Sequence, residues 1–279
     1  MKNNRTTTTQ ETLKILEEGI QSLLDSDRYK QYLKMMAKFH NYSYNNCLLI
    51  MLQCPTASYV AGYNAWKTKF KRHVKKNQRG IRIIVPCPVE KERPDGTTKQ
   101  ELFFKAATVF DVEQTEGDPI PDIIHPLTGT VDDYDNIIRA LTEISTVPVS
   151  FEDFPGKALG YYSPHEQRIV VRSTLDQKAR IKTLVHEIVH SIAHHPETGE
   201  CKNDSKNLKE NLAENCSFAV LYWLGLLDLT TDDYSFLYLL GYNSDPSTLP
   251  EFHQCLDQTQ KIANYLITKL KEKGIKPVA

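Results

Sequence analysis

The sequence predicts an α+β fold in two domains, a small α+β unit followed by a mainly helical one. Three observations carry this. Charge is unevenly shared: residues 1–110 hold 19 Lys and Arg against 9 Asp and Glu, whereas residues 111–279 hold 15 against 26. The stretch 116–129, with Gly117, Pro119, Pro121, Pro126 and Gly129, is rich in residues that break helices and strands. Apolar spacing alternates between helical and strand periods before that stretch and is largely helical after it. The length of 279 residues exceeds what one small core needs, and 40% hydrophobic with 25% charged residues is a globular composition. We expect a basic α+β domain at 1–120, a linker at 121–130 and a second domain at 131–279.

The elements follow in order. Leu13, Leu16, Ile20 and Leu24, then Tyr32, Met35, Met36 and Phe39, recur at helical spacing and predict two helices across 10–38. A short helix from Asn45 to Leu52 stops before Pro55, and Tyr63 to Phe70 forms another. The period then changes. Arg79 to Pro86 reads as a turn feeding a strand, and Leu102 to Val112 as its partner across a connection containing Pro94, Asp95 and Gly96. Beyond the linker, Asp132 to Ile144 is helical and Val147 to Phe151 extended, and Leu159 to Tyr162 pairs with Arg168 to Arg172 as a hairpin. Thr174 and Gln177 have the spacing of a capping box opening a helix. Further helices run from Asn207 to Leu226 and from Pro250 to about Lys273.

The longest apolar run, Phe218 to Leu227, is half of the roughly 20 residues that cross a bilayer, so no membrane partner is expected. The first nine residues are polar and lack a signal-peptide core. Six cysteines are scattered without a CxxC pair, as in a chain with reduced thiols. Together these features lead us to expect a cytoplasmic protein.

The sharpest motif is His186-Glu187-Ile188-Val189-His190. Histidines four apart on a helix lie one turn above each other and can present two imidazole nitrogens to one cation, with Glu187 facing its open position. Glu187 is then the candidate catalytic base, and afterwards the acid that protonates the leaving amine. A catalytic zinc takes a third protein ligand. The extended metzincin pattern is excluded, because Ala193 and Pro196 stand where its glycine and third histidine belong. His194 continues the same helical face, where three ligands converge poorly on a tetrahedral ion. Glu210 and Glu214 lie one turn apart on the following helix, and the apolar surroundings of Glu214 make it the expected ligand, with one Zn2+ per chain. Glu210 is the expected supporting partner or the alternative ligand, and Tyr161 or Tyr162 the candidate stabiliser of an oxyanion.

The first half suggests a different partner. No acidic residue occurs between Asp27 and Glu90, and eight basic side chains crowd into residues 67–82. Tyr42, Tyr44, Asn45, Asn46, Tyr63 and Trp66 accompany Lys67, Lys71, Arg72, Lys75, Lys76 and Arg79. Cations that track phosphates beside flat side chains that stack on bases are what single-stranded nucleic acid requires.

Residues Phe39 to Asn46, Pro55-Thr56-Ala57, Val60 to Tyr63, Trp66-Lys67, Gly80-Ile81 and Val109 to Val112 resemble the N-terminal domain of ArdC-like antirestriction proteins. The downstream His186-Glu187-x-x-His190, with Lys209-Glu210-x-x-Ala213-Glu214, resembles the zincin-like metallopeptidase domain found with it. The resemblance implies a single-stranded-DNA-binding module joined to a gluzincin-type peptidase, carried by mobile elements and acting on a protein or peptide substrate. Two other readings stay open: an antirestriction protein whose zinc is only structural, and a metallopeptidase that cleaves a regulatory protein and uses the basic face to dock it.

Overall fold

The computed structural model describes residues 2–23, 25–92, 98–119, 133–227 and 249–276. The expected linker at 121–130 and the turn at Pro94-Asp95-Gly96 lie outside these residues. The chain divides into two compact units, Met1–Met35 with Tyr42–Pro121, and Met36–Asn41 with Asp122–Ala279.

In the first unit, helices α1 (Lys2–Ser22), α2 (Ser26–Lys38) and α3 (Tyr44–Gln53) precede a small antiparallel sheet. Leu48, Leu49, Ile50 and Met51 are all buried, so the middle of α3 is enclosed on every side. Ser43 caps it, accepting from the Asn46 backbone N–H. Gly19 lets α1 approach it, since a Cβ there would meet Leu52 Cδ1 at 2.3 Å.

The sheet has the order β1-β4-β3, with β1 (Val60–Gly62), β3 (Ile81–Glu92) and β4 (Thr98–Asp111). Strands β3 and β4 pair from Ile81↔Val109 to Glu92↔Thr98. The outer edge of β3 is covered by two side-chain amides. Asn46 bonds both the carbonyl and the N–H of Ile84, at 2.8 and 2.9 Å, and Gln53 bonds those of Arg82 at 2.8 and 2.9 Å. With a strand period of two, the next positions on that edge are Pro86 and Pro88, which have no N–H to offer.

Helix α4 (Tyr63–Thr68) follows β1, and β2 (Arg72–Val74) pairs with β5 (Thr115–Gly117) as a separate two-stranded ribbon. Buried Asp111 accepts from the N–H groups of Ser58 and Tyr59 and caps a short 3-10 turn with Gln114. The ordered run Val109 to Val112 is therefore a junction tying three segments together.

In the second unit, β6 (Val149–Glu152), β7 (Gly160–Ser163) and β8 (Arg168–Arg172) form a sheet of order β6-β8-β7. The expected hairpin is β7 with β8, while β6 joins β8 in parallel. Ile169 and Val171 turn toward helices α5 (Tyr134–Ile144), α6 (Gln177–Ala193), α7 (Lys206–Trp223) and α8 (Leu249–Glu272), forming one core with Leu184, Ile188, Val220 and Leu266. Helix α6 is not opened by Thr174. Asp176 is its cap, accepting from the Ala179 N–H at 2.8 Å, and Gln177 is already helical. His40 belongs to this unit: its Nδ1 lies 2.8 Å from Asn264 Oδ1 and its Nε2 2.8 Å from Lys271 Nζ. Among the described residues no helix is long and apolar enough to cross a membrane.

Candidate metal centre

Helix α6 buries Val185, Ile188 and Val189 in the core, which turns His186 and His190 together toward α7. Their Nε2 atoms are 3.0 Å apart. From α7, Glu210 brings Oε2 to 3.3 Å from Nε2 of His186 and Oε1 to 3.8 Å from Nε2 of His190. Two ligands of one tetrahedral zinc stand about 3.4 Å apart, so this donor set fits such an ion. His186, His190 and Glu210 are the metal-competent cluster among the described residues.

The carboxylate in this cluster is the alternative ligand, Glu210, rather than Glu214. Glu214, the expected ligand, lies 3.5 Å from Nδ1 of His186, on the far side of the ring, and its other oxygen is 3.2 Å from Lys182 Nζ. Both glutamates share a face of α7, and the seating of α7 against α6 brings the earlier one to the Nε2 atoms. His194 is not convergent either. Its Nδ1 is 2.8 Å from Nδ1 of His190, leaving Nε2 of His190 for the centre. Burial, with His190 and Lys209 nearby, lowers its pKa to about 3, so it is neutral.

Glu187 is only 7% exposed. Burial raises its pKa, opposed by His186, His190 and a hydrogen bond from the Tyr162 backbone N–H. Burial draws His186 down, but the Glu210 bond and the charges of Glu187 and Glu214 outweigh it and raise the pKa. Hydrogen bonds from His186 and His190 hold Glu210 well below the usual carboxylate range. Gly160 permits this packing, because a Cβ there would stand 2.6 Å from Thr183 Cγ2 and 3.4 Å from Glu187 Cγ.

The centre opens into a cleft of about 810 Å3. Both candidate oxyanion tyrosines line the cleft. Tyr162, opposite Ile169, has its hydroxyl buried with no partner among the described residues, and Tyr161, opposite Val170, packs edge-on against Phe154. Gly160 lies in the expected strand Leu159 to Tyr162, and the signal for its close packing is a glycine inside a strand.

Two family models match separate stretches of the chain. Residues 2–110 match the family described as the N-terminal domain of anti-restriction factor ArdC, and residues 142–224 the IrrE N-terminal-like domain of the M78 peptidase family. The metal-free crystal structure of antirestriction ArdC from the R388 plasmid superimposes with a TM-score of 0.57 at 21% identity, covering 82% of this chain and 84% of that one. The fold is ArdC-like. The Mn(II)-bound structure of the same R388 protein gives 0.54 at 19% identity, covering 82% and 83%. No curated protein matches.

In the ArdC-like first unit the residues expected to meet DNA separate into two groups. Trp66 is 0% exposed and donates Nε1–H to the Phe110 carbonyl at 2.9 Å; it is core and has no face to stack on a base. Asn46 is consumed in covering β3. Asn45 has a buried Oδ1, Tyr44 is half-buried, and the half-buried Tyr42 donates to the Val60 carbonyl. Arg72 is turned into the ribbon, bonding Thr115, Gly117 and Asp118. By contrast Lys67, Lys71, Lys75, Lys76 and Arg79 are exposed, and Tyr63 is 55% exposed.

Proposed function

We propose that this chain is a single-stranded-DNA-binding metallopeptidase of the antirestriction type, hydrolysing a peptide bond in a protein substrate. The carrying observation is the pairing of the His186–His190–Glu210 cluster with a buried glutamate, Glu187, next to it in sequence and held by the backbone of the neighbouring strand. In this reading His186, His190 and Glu210 hold one divalent ion, and Glu214 and His194 orient the two imidazoles from behind. The His2Glu set suits zinc, and the related R388 protein holds Mn(II). When bound, the ion supplies Lewis acidity and an acidified water. Glu187, buried beside the centre and held by the Tyr162 backbone N–H, takes the proton from the attacking water and returns it to the leaving amine.

Support for the DNA reading is the match of residues 2–110 to the ArdC N-terminal family together with the exposure of Tyr63, Lys67, Lys71, Lys75, Lys76 and Arg79. The test has two arms. Metal content and peptide cleavage are measured for the wild type, His186→Ala and Glu187→Gln: the first variant should lose metal, and the second should keep it while cleavage falls by about 100- to 10,000-fold. Cleavage unchanged in Glu187→Gln sinks the mechanism. Binding of a labelled oligonucleotide is followed against salt, and no binding at low salt sinks the DNA assignment.

A further inference from the structure

We propose that the cleft beside the metal centre selects acidic peptides, through a wall loop that Arg172 fixes and that presents Lys157 and Leu159. This rests on the peptidase reading above.

Arg172 ends β8 and its guanidinium carries five N–H donors. All five are used on the segment joining β6 to β7. Nε donates to the Ala158 carbonyl at 3.1 Å. Nη1 donates to Asp153 Oδ1 and the Phe154 carbonyl, both at 2.9 Å, and Nη2 to the carbonyls of Gly156 and Ala158 at 2.8 and 2.9 Å. The guanidinium also lies 4.5 Å over the Phe154 ring, and the Arg172 backbone N–H bonds the Leu159 carbonyl at 2.8 Å. A loop with three carbonyls on one rigid cation is a preformed wall, and a lysine cannot reproduce that fork.

That wall borders the cleft with Lys157, Ala158 and Leu159. Leu159 is 50% exposed, an apolar contact left open beside the site. Lys157 is joined at the cleft by Lys182 of α6 and Lys209 of α7. Three lysines balance Glu187, Glu210 and Glu214, so a divalent ion leaves the cleft two charges positive. Residues 111–279 as a whole are strongly negative. The charge of the cleft attracts acidic chains locally, against the negative field of the rest of the domain, and Leu159 adds preference for an apolar neighbour.

The test uses the full chain carrying Glu187→Gln, loaded with Zn(II), so that bound peptide persists. The probes are fluorescein-labelled Gly-Leu-Glu-Gly-Leu-Glu and its Gly-Leu-Lys-Gly-Leu-Lys counterpart. The acidic peptide should bind about tenfold tighter at low salt, as one or two exposed ion pairs allow, and the margin should shrink as salt rises. Adding Lys157→Glu, an exposed change that spares the core, should bring the ratio to near one. Adding Arg172→Lys should weaken the acidic peptide and speed amide exchange over 153–159 with metal content unchanged. Equal binding of the two probes, no binding of either, an unaltered ratio in Lys157→Glu, or unaltered exchange in Arg172→Lys overturns the proposal. If the zinc-loaded wild type cleaves neither probe while the variant prefers the acidic one, hydrolysis fails and the selection stands. Equal cleavage of both keeps hydrolysis and overturns the selection.

Discussion

Glu214 lies 3.5 Å from Nδ1 of His186, the ring nitrogen turned away from the position where Nε2 of His186, Nε2 of His190 and Glu210 converge. A carboxylate there fixes the tautomer and aim of the imidazole without touching the ion. Glu210→Gln should therefore cost metal affinity far more than Glu214→Gln, for which about 10- to 100-fold is the expected loss. Competitive titration with a chromogenic chelator measures both. A larger loss in Glu214→Gln would return the ligand role to that residue.

Trp66 and Tyr63 separate stability from binding. Trp66→Ala should destabilise the first unit by about 3–5 kcal/mol, as for deletion of a buried indole. Tyr63→Ala should leave the urea midpoint in place and weaken single-strand binding by about 1–3 kcal/mol, the loss of one stacked base. Denaturation curves and oligonucleotide titrations on the same preparations distinguish them, and unchanged affinity in Tyr63→Ala would remove that ring from the interface.

Gly160→Ala tests the contact between strand β7 and the metal helix. The added methyl meets Thr183 Cγ2 at 2.6 Å and the Val170 carbonyl at 3.0 Å, so a cost of about 1–3 kcal/mol is expected from overpacking. The strand should shift off Glu187 and weaken its bond from the Tyr162 N–H. The readout is reduced cleavage with metal content retained; full activity at wild-type stability would show that the approach is not needed.

His40 provides a pH signature away from the metal. Burial lowers its pKa, as does Lys271, and the Asn264 bond only partly offsets them. With a folded pKa below the ordinary 6.5, the unfolded chain takes up more protons under acid conditions. The stability contributed by neutral His40 is thus present above about pH 6.5 and is lost as pH falls toward the folded value. Melting temperatures of wild type and His40→Asn, compared at pH 7.5 and 5.5, should show a smaller acid loss in the variant. An identical loss in both would assign the acid sensitivity elsewhere.

How much of this could be read from the chain depended on distance along it. His186 and His190 declare themselves because four-residue spacing is a property of one helix. The choice between Glu210 and Glu214 does not, because both satisfy the same spacing and the seating of α7 against α6 decides between them. Trp66 and Asn46 were misread for a related reason: residue type gives stacking or hydrogen-bonding capacity, whereas burial is fixed by distant partners such as Phe110 and Ile84. The hairpin of β7 and β8 was legible, whereas β1, β2 and β5 are three residues each, too short for a period of two to show. The parallel pairing of β6 with β8 joins segments separated by another strand, and nothing local encodes it.

The two amides that cover strand β3 also constrain how this domain can be recombined. Asn46 and Gln53 stand on a helix encoded well upstream of the strand they serve, and each supplies both a donor and an acceptor to it. A chimera that imports β3 from a relative without α3 would leave Arg82 and Ile84 with bare backbone groups and would create a sticky margin where now there is none. Helix and strand are thus a single inheritable unit, and crossover points for domain grafting belong before Ser43 or after Asp111, not between them.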